Sequence, residues 1–132
     1  MMALLVSSTM AWAEGGTCGT GVTWDLTDGT LTISGTGAMY NYDDSDNKAP
    51  WYSNKDDIDE IVIENGVTSI GDYAFNGCTD FWIFNCSSTV TSIGSYAFKG
   101  CNDTGFSFIV IPASVKSVGA NAFNGCTYLR YV

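Results

Sequence analysis

Short apolar runs alternate with polar residues through the rear two thirds of the chain, and glycine-rich turns separate them. Ile58-x-x-Ile61-x-Ile63, Phe81-x-x-Phe84-x-Cys86 and Phe106-x-x-Ile109-x-Ile111 share one pattern, and Leu129-x-x-Val132 begins a fourth. Alternation with a period of two predicts strands with one buried face. In front of them, Val22-Thr23-Trp24-Asp25-Leu26 and Thr30-Leu31-Thr32-Ile33-Ser34 alternate in the same way, joined by Thr27-Asp28-Gly29. That is a hairpin signal. Its inward residues Trp24, Leu26, Leu31 and Ile33 are expected to cover the open end of the apolar strands behind it.

Those strands belong to a repeat. Val67-Thr68-Ser69-Ile70-Gly71-Asp72-Tyr73-Ala74-Phe75-Asn76-Gly77-Cys78 returns nearly unchanged from Val90 to Cys101 and again from Val115 to Cys126. The cysteines are 23 and then 25 residues apart. A period in the twenties predicts a solenoid in which each turn of chain touches only its neighbours. The apolar strands are expected to lie side by side, about 4.8 Å apart, in one continuous parallel sheet. The Val-Thr-Ser-Ile-Gly stretch predicts a second short strand on the opposite side, with Gly71, Gly94 and Gly119 supplying a sharp bend or a positive φ. The Tyr-Ala-Phe-x-Gly-Cys stretch predicts a single helical or 3-10 turn. There Phe75, Phe98 and Phe123 stack inward, each worth about 2–3 kcal/mol on burial.

Composition narrows the function. Among 132 residues, charged side chains make up 14%, and Ser, Thr and Gly are abundant. There is no His, which removes the Ser-His-Asp triad, the Cys-His dyad and the commonest zinc ligand. Five Lys and Arg face fourteen Asp and Glu, a net charge of −9. Nucleic acid and anionic membrane surfaces both need a cationic face, so neither is expected as a partner. The whole excess lies in residues 1–64; residues 65–132 balance Asp72, Asp80 and Asp103 against Lys99, Lys116 and Arg130. No stretch approaches the roughly 20 apolar residues of a membrane span. The opening MMALLVSSTMAWA carries a short apolar run without Lys or Arg, then Ala11-Trp12-Ala13. The small-x-small pattern predicts an export signal over 1–13 with Glu14 as the first mature residue.

The pattern Gly-Val-Thr-Ser-Ile-Gly-x-Tyr-Ala-Phe-x-Gly-Cys, followed by a strand and Pro112, resembles the BspA-like leucine-rich repeat family over residues 58–132. The segment Gly16–Met39, with Ala49-Pro50-Trp51-Tyr52, is similar to the cap that precedes such repeats. The resemblance implies an α/β leucine-rich repeat solenoid: a β-rich right-handed coil with a parallel sheet on one side, short helical turns and an N-terminal β-hairpin cap. The expected division is a signal peptide over 1–13, a β cap and polar loop over 14–57 with Pro50-Trp51 as its anchor, and about three coils over 58–132. The resemblance also implies a bacterial secreted or surface protein that adheres to a protein or cell-surface ligand. A glycan-binding or scaffolding module of a larger secreted hydrolase is the alternative. Ser87 stands where the strand-ending proline is expected, and two extra residues near 102–105 predict a bulged loop. The chain ends within its fourth strand, which reads as a truncation.

Candidate sites are few. Cys78, Cys101 and Cys126 hold equivalent positions without Cys-x-x-Cys spacing and read as a column of small buried residues, with disulfides between neighbouring coils as the alternative for a secreted chain. Cys86 reads as core and Cys18 as the most exposed thiol. Asp43-Asp44-Ser45-Asp46-Asn47 lacks the Gly and Glu of a calcium loop and reads as a solvated acidic loop. Asp56, Asp57, Asp59 and Glu60 carry no sign of the burial that acid–base chemistry needs. No metal, cofactor or catalytic residue is expected. The best ligand surface is the outer face of the main sheet. Glu60 and Val62, Ile83 and Asn85, Phe108 and Val110, then Tyr131, alternate with the inward residues and predict an apolar and aromatic stripe starting at an acidic edge.

Overall fold

The computed structural model describes residues 13–101, 108–126 and 130–131. Residues 1–12 of the expected export signal, and the loop expected at 102–105, lie outside the described residues. The front section opens with β1 (Ala13–Gly19), β2 (Val22–Thr27) and β3 (Thr30–Gly35), an antiparallel meander. Asp28 and Gly29 both take positive φ, 49° and 86°, so the β2–β3 connection is the two-residue turn whose twist suits a hairpin. Trp24 faces Ile33 and Leu26 faces Leu31 across it, and all four are buried. The hydrophobic pattern does not announce β1, because Glu14-Gly15-Gly16-Thr17 has no apolar alternation. The two glycines are what let it lie flush on β2. A Cβ at Gly15 would come within 2.7 Å of the Trp24 carbonyl oxygen, and one at Gly16 within 3.2 Å of the indole nitrogen.

From β3 the chain continues as a parallel ladder. β3 pairs with β5 (Glu60–Ile63), and β5 with β7 (Ile83–Cys86). The register aligns Leu31, Ile61 and Phe84 in one row, and Ile33, Ile63 and Cys86 in another. The second strand of the hairpin is thus the first rung of the repeats. A second parallel sheet runs through β4 (Gly37–Ala38), β6 (Val67–Ile70), β8 (Ser92–Ile93) and β10 (Ser117–Val118). The short β4 hides a degenerate repeat: Gly37 N–H donates to Gly66 O, Met39 N–H to Ser69 O and Tyr42 N–H to Asp72 O. The sequence around it, Gly35-Thr36-Gly37-Ala38-Met39, bears too little likeness to Val-Thr-Ser-Ile-Gly to betray this role.

The main sheet is not continuous, contrary to expectation. Among the described residues it ends at β7, while β9 (Phe108–Ile109) pairs with β11 (Arg130–Tyr131) in a ladder of its own. The two additional residues in the Cys101–Cys126 interval fall between β7 and β9, where the ladder stops.

The Tyr-Ala-Phe-x-Gly-Cys stretches form stacked turns instead of helical turns. Tyr73, Tyr96 and Asn121 adopt φ of 56–58°, a left-handed kink that interrupts any helix. Backbone N–H groups then alternate in direction. Those of Ala74, Asn76 and Cys78 donate three residues back within the repeat, while those of Tyr73, Phe75 and Gly77 donate to Ser95, Ala97 and Lys99 of the next. Tyr96, Phe98 and Gly100 repeat the second set toward Ala120, Ala122 and Asn124. Every rung is both closed on itself and bonded to its neighbour, which satisfies polar groups at a buried corner.

Gly71, Gly94 and Gly119 do not take positive φ, one of the two roles expected of them. Their role is close approach. A Cβ at Gly94 would sit 2.7 Å from the carbonyl carbon of Gly71, and one at Gly119 only 2.6 Å from that of Gly94. Inside this corner the aromatic rings form one column. Centroids are 5.7 Å apart for Trp24 and Trp51, 5.7 Å for Trp51 and Phe75, 5.4 Å for Phe75 and Phe98, and 5.2 Å for Phe98 and Phe123. Trp51 just precedes a 3-10 helix, Tyr52–Asp57, and anchors the polar loop as expected: it is fully buried, and its indole N–H donates to Ala74 O at 2.7 Å. No helix among the described residues is long and apolar enough to cross a membrane.

Candidate functional site

The outer face of β3, β5 and β7 is built by alternation. Thr30, Glu60 and Ile83 share one row of the register, and Thr32, Val62 and Asn85 the row two residues on. Leu31, Ile61, Ile33 and Ile63 between them are buried, so the outer rows are left on the opposite face. Glu60 ties the three strands together. Its carboxylate accepts from Thr30 Oγ1 at 3.3 Å and from Asn85 Nδ2 at 3.4 Å. Glu60, Val62 and Ile83 are half-buried and Asn85 is exposed. The acidic start of the stripe is therefore a tethered carboxylate.

The later residues of the stripe are arranged differently. Val110 is 52% exposed, and Trp82, on the approach to β7, is 59% exposed. Phe108 lies in β9, opposite Arg130, and Tyr131 lies opposite Ile109. The repeat spacing would have set Tyr131 beside Phe108, so the register is one residue away from that alignment. Where the ladder breaks, a shallow concavity of about 450 Å³ opens, lined by Ile63, Phe84, Asn85, Cys86, Ser87, Val110 and Pro112. It brings together Asn85 and Val110 of the expected stripe, but not Glu60, Val62 or Ile83. Phe84, Cys86 and Pro112 were not foreseen there. The sequence signal near them was the widened spacing after Cys101, which departs from the period of the repeat.

The cysteines sort by depth. Cys18 was expected to be exposed and is instead fully buried, because β1 turns it inward beside Val22; burial pushes its thiol up to about 12. Cys78 and Cys101 are buried, and Cys126 is half-buried, forming the expected column. Cys86 is only half-buried, since it borders the concavity instead of a fourth strand. The Asp43 loop is closed on itself: Asp43 Oδ1 accepts the backbone N–H groups of Ser45 and Asn47, both at 2.9 Å, and these bonds hold its carboxyl below its ordinary range. Among the described residues no group of three or more His, Cys, Asp or Glu side chains is placed to hold a metal.

Residues 48–132, spanning all three motif copies, match the BspA type Leucine rich repeat region (6 copies). The chain belongs to the BspA-type leucine-rich repeat family. The family match starts ten residues ahead of the first apolar strand at Ile58 and takes in Trp51, consistent with that ring heading the phenylalanine column. A leucine-rich repeat protein from Eubacterium ventriosum is 29% identical, with a TM-score of 0.69 over 91% of this chain and 37% of its own. This leucine-rich repeat chain therefore spans little more than a third of that relative's length. A leucine rich cell surface protein from Faecalibacterium prausnitzii is 16% identical, covering 94% of this chain and 54% of its own, with a TM-score of 0.47. The T. pallidum leucine-rich repeat protein is 21% identical, covering 83% and 66%, with a TM-score of 0.48. No curated protein matches the chain at a significant level.

Proposed function

We propose that this leucine-rich repeat chain is a non-catalytic module that binds a partner protein outside the cell, on the outer face of the main sheet. In this reading residues 1–13 direct export and 14–57 form the cap of a right-handed solenoid. Residues 58–132 carry the contact surface. The observation that carries it is the pairing of register with exposure. Glu60, Val62, Ile83 and Asn85 stand in aligned outer rows, and the face continues to the exposed Val110 across a shallow concavity. Apolar and polar side chains set in register on one open sheet face suit a protein surface better than a small molecule. Phe108 and Tyr131 extend the stripe in the same proposal. Immobilised matrix and cell-surface proteins should retain the chain, and Val110→Asp and Phe108→Asp should each weaken capture by about tenfold or more. Capture unchanged in both variants would end the proposal.

A second reading rests on Trp82. An indole 59% exposed beside the same face is the kind of platform on which sugar rings stack. A glycan-binding module of a larger hydrolase would lose retention on Trp82→Ala and would be competed off by free sugars, whereas protein adhesion would resist both.

A further inference from the structure

The cysteine column holds a feature that the binding reading does not use. Cys78, Cys101 and Cys126 occupy the same place in three successive repeats, and the rungs carrying the last two are directly bonded, Gly100 N–H to Asn124 O at 2.8 Å. Next to them Phe98 and Phe123 stack with planes only 3° apart, so this pair of repeats is in tight register. Neighbouring rungs of a ladder lie about 4.8 Å apart, inside the Cα range of roughly 4.4–6.8 Å over which disulfides close. Each thiol points at the preceding repeat: Cys101 Sγ lies 3.1 Å from Phe75 O, and Cys126 Sγ 2.9 Å from Phe98 O.

We propose that Cys101 and Cys126 are a redox-reactive pair that closes to a disulfide between adjacent repeats when the protein meets a small-molecule disulfide. Depth assigns the roles. Cys126 is half-buried and accessible; Cys101 is 4% exposed and Cys78 1%. The bond from Cys101 lowers the Cys126 thiol, whereas burial raises Cys101 and pushes Cys78 up to about 12. An accessible, more acidic thiol next to a buried partner is the arrangement of an attacking and a resolving cysteine. The Cys126 thiolate attacks one sulfur of the external disulfide, forming a mixed disulfide and expelling one thiolate, which takes up a proton. Cys101 then loses its proton and attacks the Cys126 sulfur, expelling the second thiolate. Two protein thiols are oxidised to one disulfide, and one external disulfide is reduced to two thiols.

Trypsin reads the outcome directly, because Lys55, Lys99, Lys116 and Arg130 place Cys101 in peptide 100–116, Cys126 in 117–130, and Cys78 with Cys86 in 56–99. The folded, reduced full chain is exposed to oxidised glutathione, blocked with N-ethylmaleimide, digested and weighed. The expected product is 100–116 joined to 117–130, in roughly tenfold excess over any other linkage. Cys101→Ser should stall with glutathione on Cys126, and Cys126→Ser should leave Cys101 reduced. Linkage of 56–99 to 100–116, or no linkage with the thiols alkylated, overturns the proposal. The wild-type map decides alone should either variant fail to fold.

Discussion

The turn corner and the main sheet are made by the same repeats, yet one is unbroken and the other is not. At the corner the aromatic column and its hydrogen-bond ladder run from Trp51 to Phe123, and the second sheet follows it to β10. On the main sheet the ladder stops, among the described residues, at β7. The difference follows the fidelity of the repeat. The motif that makes the corner recurs almost unchanged, whereas the strand stretch drifts from Ile61-x-Ile63 to Phe84-x-Cys86 and gains two residues before its next copy. Repeats of this kind are held by neighbour contacts, so a strict corner can carry a variable face. That variable face is where the candidate binding surface lies.

The largest test of this contrast removes a ring from each side. Phe98→Ala, at a fully buried corner ring touching Phe75, Phe123 and Phe84, should cost about 3–5 kcal/mol. Phe84→Ala, half-buried at the concavity, should cost about half of that. Urea titration measures both, and equal losses would erase the distinction between corner and sheet. Next comes the close-packed glycine. Gly94→Ala forces a Cβ against the Gly71 and Asp72 backbone and should cost about 1–3 kcal/mol. Gly100→Ala meets open space and is strained only by its φ of 74°, about 1–2 kcal/mol at most. A larger loss at Gly100 would mean that conformation, not stacking, places glycine in the motif.

Asp72 offers a finer probe of how the corner begins. Its own N–H is accepted by Asn41 Oδ1 at 2.9 Å, and its Oδ1 accepts Ser95 N–H at 2.8 Å, so side chains relay the ladder from the front section into the second repeat. Asp72→Ala should cost about 1–2 kcal/mol, with Asp72→Asn restoring most of it by keeping an acceptor. Equal losses in the two would show that charge, and not the acceptor, matters. The smallest effect near neutrality is that of pH. The buried thiols of Cys18 and Cys78, and half-buried Cys86, are raised from 9.0 to about 12. Unfolded, they ionise above pH 9 while the folded chain keeps them protonated, so the folded state binds more protons. Stability should therefore hold below pH 9 and fall between pH 9 and 12, with the lowered Cys126 working weakly in the other direction. Thermal melts across that range that do not decline would contradict the burial of these sulfurs.

The sequence alone determined the repeat, the Asp28-Gly29 hairpin, the inward rows and the phenylalanine column, because each is written in local periodicity that burial then enforces. The quoted motifs also carried the resemblance to the family that the match over residues 48–132 shows. Tertiary structure decided what depends on contact between distant segments. It laid β1 on Trp24, buried Cys18, turned the nondescript Gly37–Tyr42 stretch into a rung, and brought neighbouring backbone against Gly71, Gly94 and Gly119. Among the described residues it also ended the main sheet at β7 and opened the concavity beside Asn85 and Val110. The reason is physical: period and turn chemistry are properties of a few neighbouring residues, whereas the approach of one backbone to another is fixed only when whole repeats settle against each other.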